Sequence, residues 1–148
     1  MAKDDKTNVM RLLEQAQIPY TAHYFDPDGP LPDEEGVFKT LVTEDGKGAH
    51  HVFVIPIQCT LDLKKAAKAA GVKSIAMIKQ KELLPLTGYV HGGCSPLGMK
   101  KPFPTFIDEI ALISERFCCS AGRRGVQVEV DVEALSALIG AEFADITE

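Results

Sequence analysis

The chain has no run of about 18 apolar residues, the length at which a helix can cross a bilayer. Membrane-spanning helices are therefore not expected. The first residues, MAKDDKTNVM, are polar and lack the apolar stretch of a secretory signal, so cytoplasmic residence is the expectation. Cysteine is sparse: Cys59, Cys94, Cys118 and Cys119, with no C-x-x-C spacing. Cys118 and Cys119 are adjacent and would point to opposite faces of a strand. Neither a disulfide framework nor a zinc site is expected. The thiols read as reduced and mostly buried.

The familiar sets of catalytic side chains are missing too. The stretch TGYVHGGCSPLG, residues 87–98, is rich in glycine, but no Lys-Ser/Thr follows it, so it is not a P-loop. Ser95 has His91 nearby in sequence but no accompanying acid, and a Ser-His-Asp triad cannot be assembled. Cys94 is a conceivable nucleophile, although packing explains it equally well. His50 and His51 diverge on a strand, His23 stands alone, and no paired carboxylates suggest acid–base work. A net charge of −5 argues against a general nucleic-acid binder.

What is present fits one domain spanning residues 1–148. The composition, 45% hydrophobic and 25% charged, is that of a globular protein able to bury a core without staples. The charge is unevenly spread. Lys64, Lys65, Lys68, Lys73, Lys79 and Lys81 lie in the middle, followed by Lys100, Lys101, Arg123 and Arg124, while acids crowd both flanks. A basic centre of this kind can meet a phosphate backbone, or it can be a solvated helix face.

Local signals give the elements. TNVMRLLEQAQ carries Val9, Leu12, Leu13 and Ala16 at helical spacing, and YTAHYF reads as a strand. DPDGPLPDEEG is a loop of turn residues and acids, expected to be mobile. VFKTLVTEDGKGAHHVFVIPI is a hairpin around Asp45-Gly46, with Pro56 marking an edge or an end of the second strand. LDLKKAAKAAG is a helix, capped by Thr60 or Asp62 and stopped by Gly71. KSIAMI is a strand and KQKELLPLTG a broken helical turn. PTFID is a strand with a helical turn after it. RFCCSAGRRGVQVEV is a second hairpin. Asp131 caps VEALSALI, Gly140 ends it, and EFADI is a last strand. Consecutive hairpins imply an antiparallel or mixed sheet rather than a Rossmann pattern.

Two features invite function. Glycine lets main chain approach a ligand closely, so the 87–98 loop is a candidate pocket floor as well as a candidate tight turn. In VFKTLV, alternation puts Lys39 with Val37 and Leu41, and Thr40 with Phe38 and Val42. A lysine in a strand apolar on both faces either snorkels to an edge or is held for a purpose.

These segments resemble a known family. VFKTLV, LDLKKAAKAAG, TGYVHGGCSPLG with its following KK, PTFID, SAGRRG and FADI stand in the order and spacing of the YbaK/EbsC family. Its members are free-standing aminoacyl-tRNA deacylases related to the editing domain of bacterial prolyl-tRNA synthetases. The pattern is most similar to the YbaK branch, which clears cysteine from tRNA(Pro). The resemblance implies an α/β (α+β) fold, a mixed sheet curled toward a barrel with helices outside. It implies that Lys39 holds the substrate's terminal phosphate or hydroxyls and that Gly92, Gly93 and Pro96 cradle the aminoacyl ester. Ser120, Ala121 and Gly122 would form a second loop, with Phe25, Thr40 and Ser95 completing the substrate pocket. Lys64, Lys65 and Lys68 would meet tRNA, and prolyl-tRNA synthetase is an expected partner. No metal, cofactor, DNA or membrane partner is implied. The chain departs from the family at Ala121 and Gln127, where relatives carry glycine and aspartate, and at Phe25, where they carry tyrosine. Two alternatives stay open: a deacylase for another amino acid such as alanine, using water, and a non-catalytic regulator that only binds a nucleotide or tRNA.

Overall fold

The structure, a computed structural model, describes residues 6–30 and 35–148. Among these residues four α-helices are interspersed with eight strands. Helix α1 (Asn8–Gln15) starts where the Thr7 hydroxyl accepts the Met10 N–H at 3.2 Å, and it buries Val9, Met10 and Leu13. Helix α2 (Leu63–Ala70) is capped by Asp62, whose carboxylate accepts the N–H groups of Lys64 and Lys65, both at 3.0 Å. Gly71 ends it at φ 72°, a left-handed turn that costs glycine little. A 3-10 turn (Gln80–Glu82) leads into the short α3 (Leu83–Thr87), and α4 (Val132–Ile139) is capped by Asp131.

The strands are β1 (Tyr20–Tyr24), β2 (Phe38–Asp45), β3 (His50–Pro56), β4 (Ile75–Met77), β5 (Thr105–Asp108), β6 (Cys118–Ser120), β7 (Val126–Val130) and β8 (Glu142–Ala144). The hairpin β2–β3 turns as the sequence requires. One carboxylate oxygen of Asp45 accepts the N–H groups of Lys47 (2.8 Å) and Ala49 (3.0 Å). Pro56 is the last residue of β3, so it ends the strand and does not interrupt it.

These strands form two sheets. A five-stranded sheet runs β4-β2-β3-β5-β8, antiparallel over its first three strands and parallel over its last three. A three-stranded antiparallel sheet runs β1-β7-β6. They meet at a bridge between Val37 and Cys118, where the Cys118 N–H donates to Gly36 O at 2.7 Å. The mixed α/β architecture matches the expectation, but the barrel does not close. Among the described residues β4 and β8 remain edges of one sheet, and β1 of the other.

Strand β3 is buried on both faces, as its apolar run predicts. Val52 and Val54 face the core shared with α1, α4 and the small sheet. Phe53 and Ile55 face the core under α2, where Phe53 stacks on Phe106 at 5.4 Å. Each such side chain contributes roughly 1.5–3 kcal/mol. None of the four cysteines forms a disulfide, and all but Cys59 are buried. Residues 31–34 of the acidic loop, expected to be mobile, lie outside the described residues. No helix among the described residues is long and apolar enough to cross a membrane.

Candidate active site

A cleft of about 370 Å³ lies where the two sheets meet. Strand β2 supplies Lys39 and Thr40, the glycine loop supplies His91, Gly92 and Cys94, and the β6–β7 hairpin supplies Ser120, Val126 and Gln127. Phe25, which follows β1, closes one side and Gln80 another. The volume falls within the range of small-molecule sites, roughly 300–1,000 Å³. Among the described residues Lys39 is the only lining residue with a permanent charge, and no carboxylate lines the cleft. Lys39 is half-buried and makes no ion pair or hydrogen bond among the described residues. Its ammonium is therefore available to an anion. The Thr40 hydroxyl is buried without a partner among them. Such a group costs stability when unpaired, on the order of 1–3 kcal/mol.

The two glycines of the loop do different jobs. Gly93 donates its N–H to Val90 O at 3.0 Å, so that donor is committed to the turn. A Cβ on Gly93 would come within 2.9 Å of Arg123 main chain, so glycine here lets the two loops touch. Gly92 lines the cleft at φ 87°, and its N–H takes no partner among the described residues. The Cys94 N–H likewise takes none among them and lies on the cleft wall. The unpartnered main-chain donors of the loop along the cleft thus belong to His91, Gly92 and Cys94 among the described residues.

Ser120 accepts the Gly122 N–H at 3.1 Å, which leaves its own hydroxyl proton for the cleft. Ser95, Pro96 and Ala121 are buried behind the wall. Ser95 accepts the Leu97 N–H at 3.3 Å and Gly122 packs near Tyr89 and Val9, so both hold the loops that carry the wall. Burial pushes the Cys94 thiol up to about 12, against the opposing hydrogen bond from Thr87. A thiol held that firmly protonated is a poor nucleophile near neutral pH.

The lysines of α2 do not act as one face. Lys64 borders a second cavity beside Lys39. Lys65 is tied to Asp145 at 3.2 Å and to Thr147 O at 2.9 Å. Lys68 is exposed. Sequence reasoning did not place Ile57, Met77, Ile78, Gln80 or Leu83 on the cleft, since their positions depend on how distant segments pack. It also missed one cluster. A His23 ring nitrogen, Cys118 Sγ and a Glu129 carboxylate oxygen lie within 4.8 Å of one another. His23 Nε2 is 2.8 Å from Glu129 Oε1, which Arg116 also approaches at 3.7 Å, so the group is an ion-paired patch.

The chain is similar to known proteins along nearly all of its length. Residues 30–138 match the family model described as the aminoacyl-tRNA editing domain. A protein of Enterococcus faecalis, EbsC, provisionally named a Cys-tRNA(Pro)/Cys-tRNA(Cys) deacylase, is 44% identical over 96% of this chain and 93% of its own. A crystal structure described provisionally as a trans-editing enzyme for prolyl-tRNA synthetase superposes with a TM-score of 0.82 at 26% identity, covering 95% of this chain and 94% of that one. A hypothetical protein shares the fold with a TM-score of 0.85 at 23% identity, covering 96% of this chain and all of its own. The cleft and its loops therefore sit in a member of the aminoacyl-tRNA editing domain family, to which this chain belongs.

Proposed function

We propose that this chain is a free-standing, trans-acting deacylase that clears mischarged tRNA, with Cys-tRNA(Pro) as its substrate. The observation that carries this reading is a cleft that, among the described residues, has one unpaired ammonium and free backbone donors but no carboxylate and no ionised thiol. Lys39 suits the phosphate or hydroxyls of the terminal nucleotide. The N–H groups of Gly92 and Cys94 suit the oxygen of the ester carbonyl as it gains charge. Removing one such donor typically costs about 2.7–4 kcal/mol of barrier.

An aminoacyl ester is already activated, so positioning does most of the work. A cysteinyl ester also brings its own nucleophile. Its thiol, with an ordinary pKa near 8.5, is a few per cent thiolate at neutral pH. Attack on its own carbonyl forms a cyclic thioester and releases the ribose hydroxyl, and water then opens the ring. The substrate thus supplies the group that the cleft lacks. Ser120 and Gln127 offer hydrogen bonds to the amino acid. The surrounding lysines would engage the acceptor strand, and prolyl-tRNA synthetase is the natural partner for a chain whose net charge is −5.

The test is deacylation of a panel of mischarged tRNAs. Cys-tRNA(Pro) should be cleaved well above Ser-tRNA and Ala-tRNA(Pro). Equal cleavage of the seryl ester would rule out the thiol route, and binding without cleavage would favour the regulatory alternative.

A further inference from the structure

Lys39, Leu41 and Met77 each border two cavities. The second, about 570 Å³, lies beside the cleft at the start of α2. Leu61 and Leu63 add apolar wall, and Lys64 and Glu148 stand at its rim. One oxygen of the Asp62 carboxylate there caps α2, accepting the N–H groups of Lys64 and Lys65. Glu148 is pinned by its main chain, whose N–H donates to Thr60 O at 3.0 Å. Its carboxylate, like the Lys64 ammonium, has no partner among the described residues.

The chemistry of this cavity is specific in kind. Apolar side chains suit the face of a flat ring. A free carboxylate accepts from an exocyclic amine, as it does from cytosine N4, and is repelled by the O4 of uracil. Two ammonium groups suit a phosphodiester. Lys39 stands at the junction, where a strand passing from one cavity to the other must place its linking phosphate. We propose that the second cavity takes the nucleotide preceding the terminal adenosine, its cytosine amine on Glu148 and its 3′ phosphate on Lys39, with Lys64 beside the strand. Every tRNA ends in C-C-A, so this subsite would grip any acceptor end and leave discrimination to the acyl cleft.

The inference rests on the deacylase reading, and the experiment separates the two. Cys-tRNA(Pro) is prepared with cytidine, uridine or an abasic residue at the penultimate position, and kcat/KM is measured for the wild type, Glu148→Gln and Lys64→Ala. The wild type should prefer cytidine to uridine by about tenfold, in line with one good hydrogen bond to a base, and to the abasic end by more. Glu148→Gln should close the cytidine–uridine gap, because an amide can donate to uracil O4. Lys64→Ala should lower kcat/KM for all three ends alike, because the abasic strand keeps its phosphodiester. Equal cleavage of all three tRNAs by the wild type overturns the second subsite and leaves the deacylase reading standing. No cleavage of any overturns both.

Discussion

Gly93 and Arg123 meet main chain to main chain: a methyl at Gly93 would stand 2.9 Å from both the Cα and the carbonyl carbon of Arg123. This approach sets the height of the glycine loop above the β6–β7 hairpin, and with it the position of the Gly92 N–H. Gly93→Ala should lower stability by roughly 1–3 kcal/mol through overpacking and reduce kcat as the loop lifts. Thermal unfolding and steady-state kinetics would check both. An unchanged melting temperature would mean that the two loops do not touch.

Lys39→Ala should cut kcat/KM by about 10- to 150-fold, the equivalent of a missing charged hydrogen bond worth roughly 1.5–3 kcal/mol. Stability should barely move, because Lys39 has no partner to lose among the described residues. Lys39→Arg should recover part of the rate. Wild-type turnover in the alanine variant would remove the ammonium from the mechanism.

Cys94→Ala should keep its activity within a few-fold. Its thiol is held protonated by burial, and the proposed nucleophile belongs to the substrate. Complete loss of turnover in a folded Cys94→Ala protein would reverse that assignment.

Alkali should destabilise the fold in a defined window. Burial raises Cys94 and Cys119 from 9.0 to about 12, with the charge of Cys118 adding to the shift at Cys119. The unfolded chain gives up these protons near pH 9, while the folded chain keeps them until about 12. Their contribution is therefore complete below pH 9 and lost as pH rises between those values, by about 1.4 kcal/mol per pH unit for each thiol. Denaturant unfolding across this range should show the decline. A Cys94→Ala, Cys119→Ala double variant should show a shallower one.

Lys64→Ala and Lys68→Ala should each reduce the salt slope of tRNA binding, by about 0.7 for every single-stranded phosphate no longer neutralised. Lys65→Ala should change it less, because that ammonium already faces Asp145 and Thr147. A binding titration at several ionic strengths would rank the three. Equal slopes would place the tRNA path elsewhere.

Much of the fold is legible in short stretches because its signals are local. Asp62 and Gly71 bound α2, Asp131 and Gly140 bound α4, and Asp45 turns the first hairpin, each through groups a few residues apart. The parallel pairings of β3 with β5 and β5 with β8 join distant segments and carry no such mark. Failure of the barrel to close depends on the meeting of two whole sheets, which strand patterns cannot reveal. The site divides in the same way. Lys39 stood out as a cation in an apolar strand, and Gly92 as flexible main chain. The separate duty of Gly93 becomes visible only when Arg123 is laid against it. Gln80 and Met77 reach the cleft through packing alone.

The seam at Val37 and Cys118 has a mechanical consequence. Lys39 rides on one sheet and Gln127 on the other, and among the described residues this is the strand bridge that couples them. That bridge and the core packed behind it, where the Phe38 and Phe117 rings lie 4.7 Å apart, hold the opposing jaws at a set spacing. An opening gauged this way resists widening, because the shared core behind it would have to part.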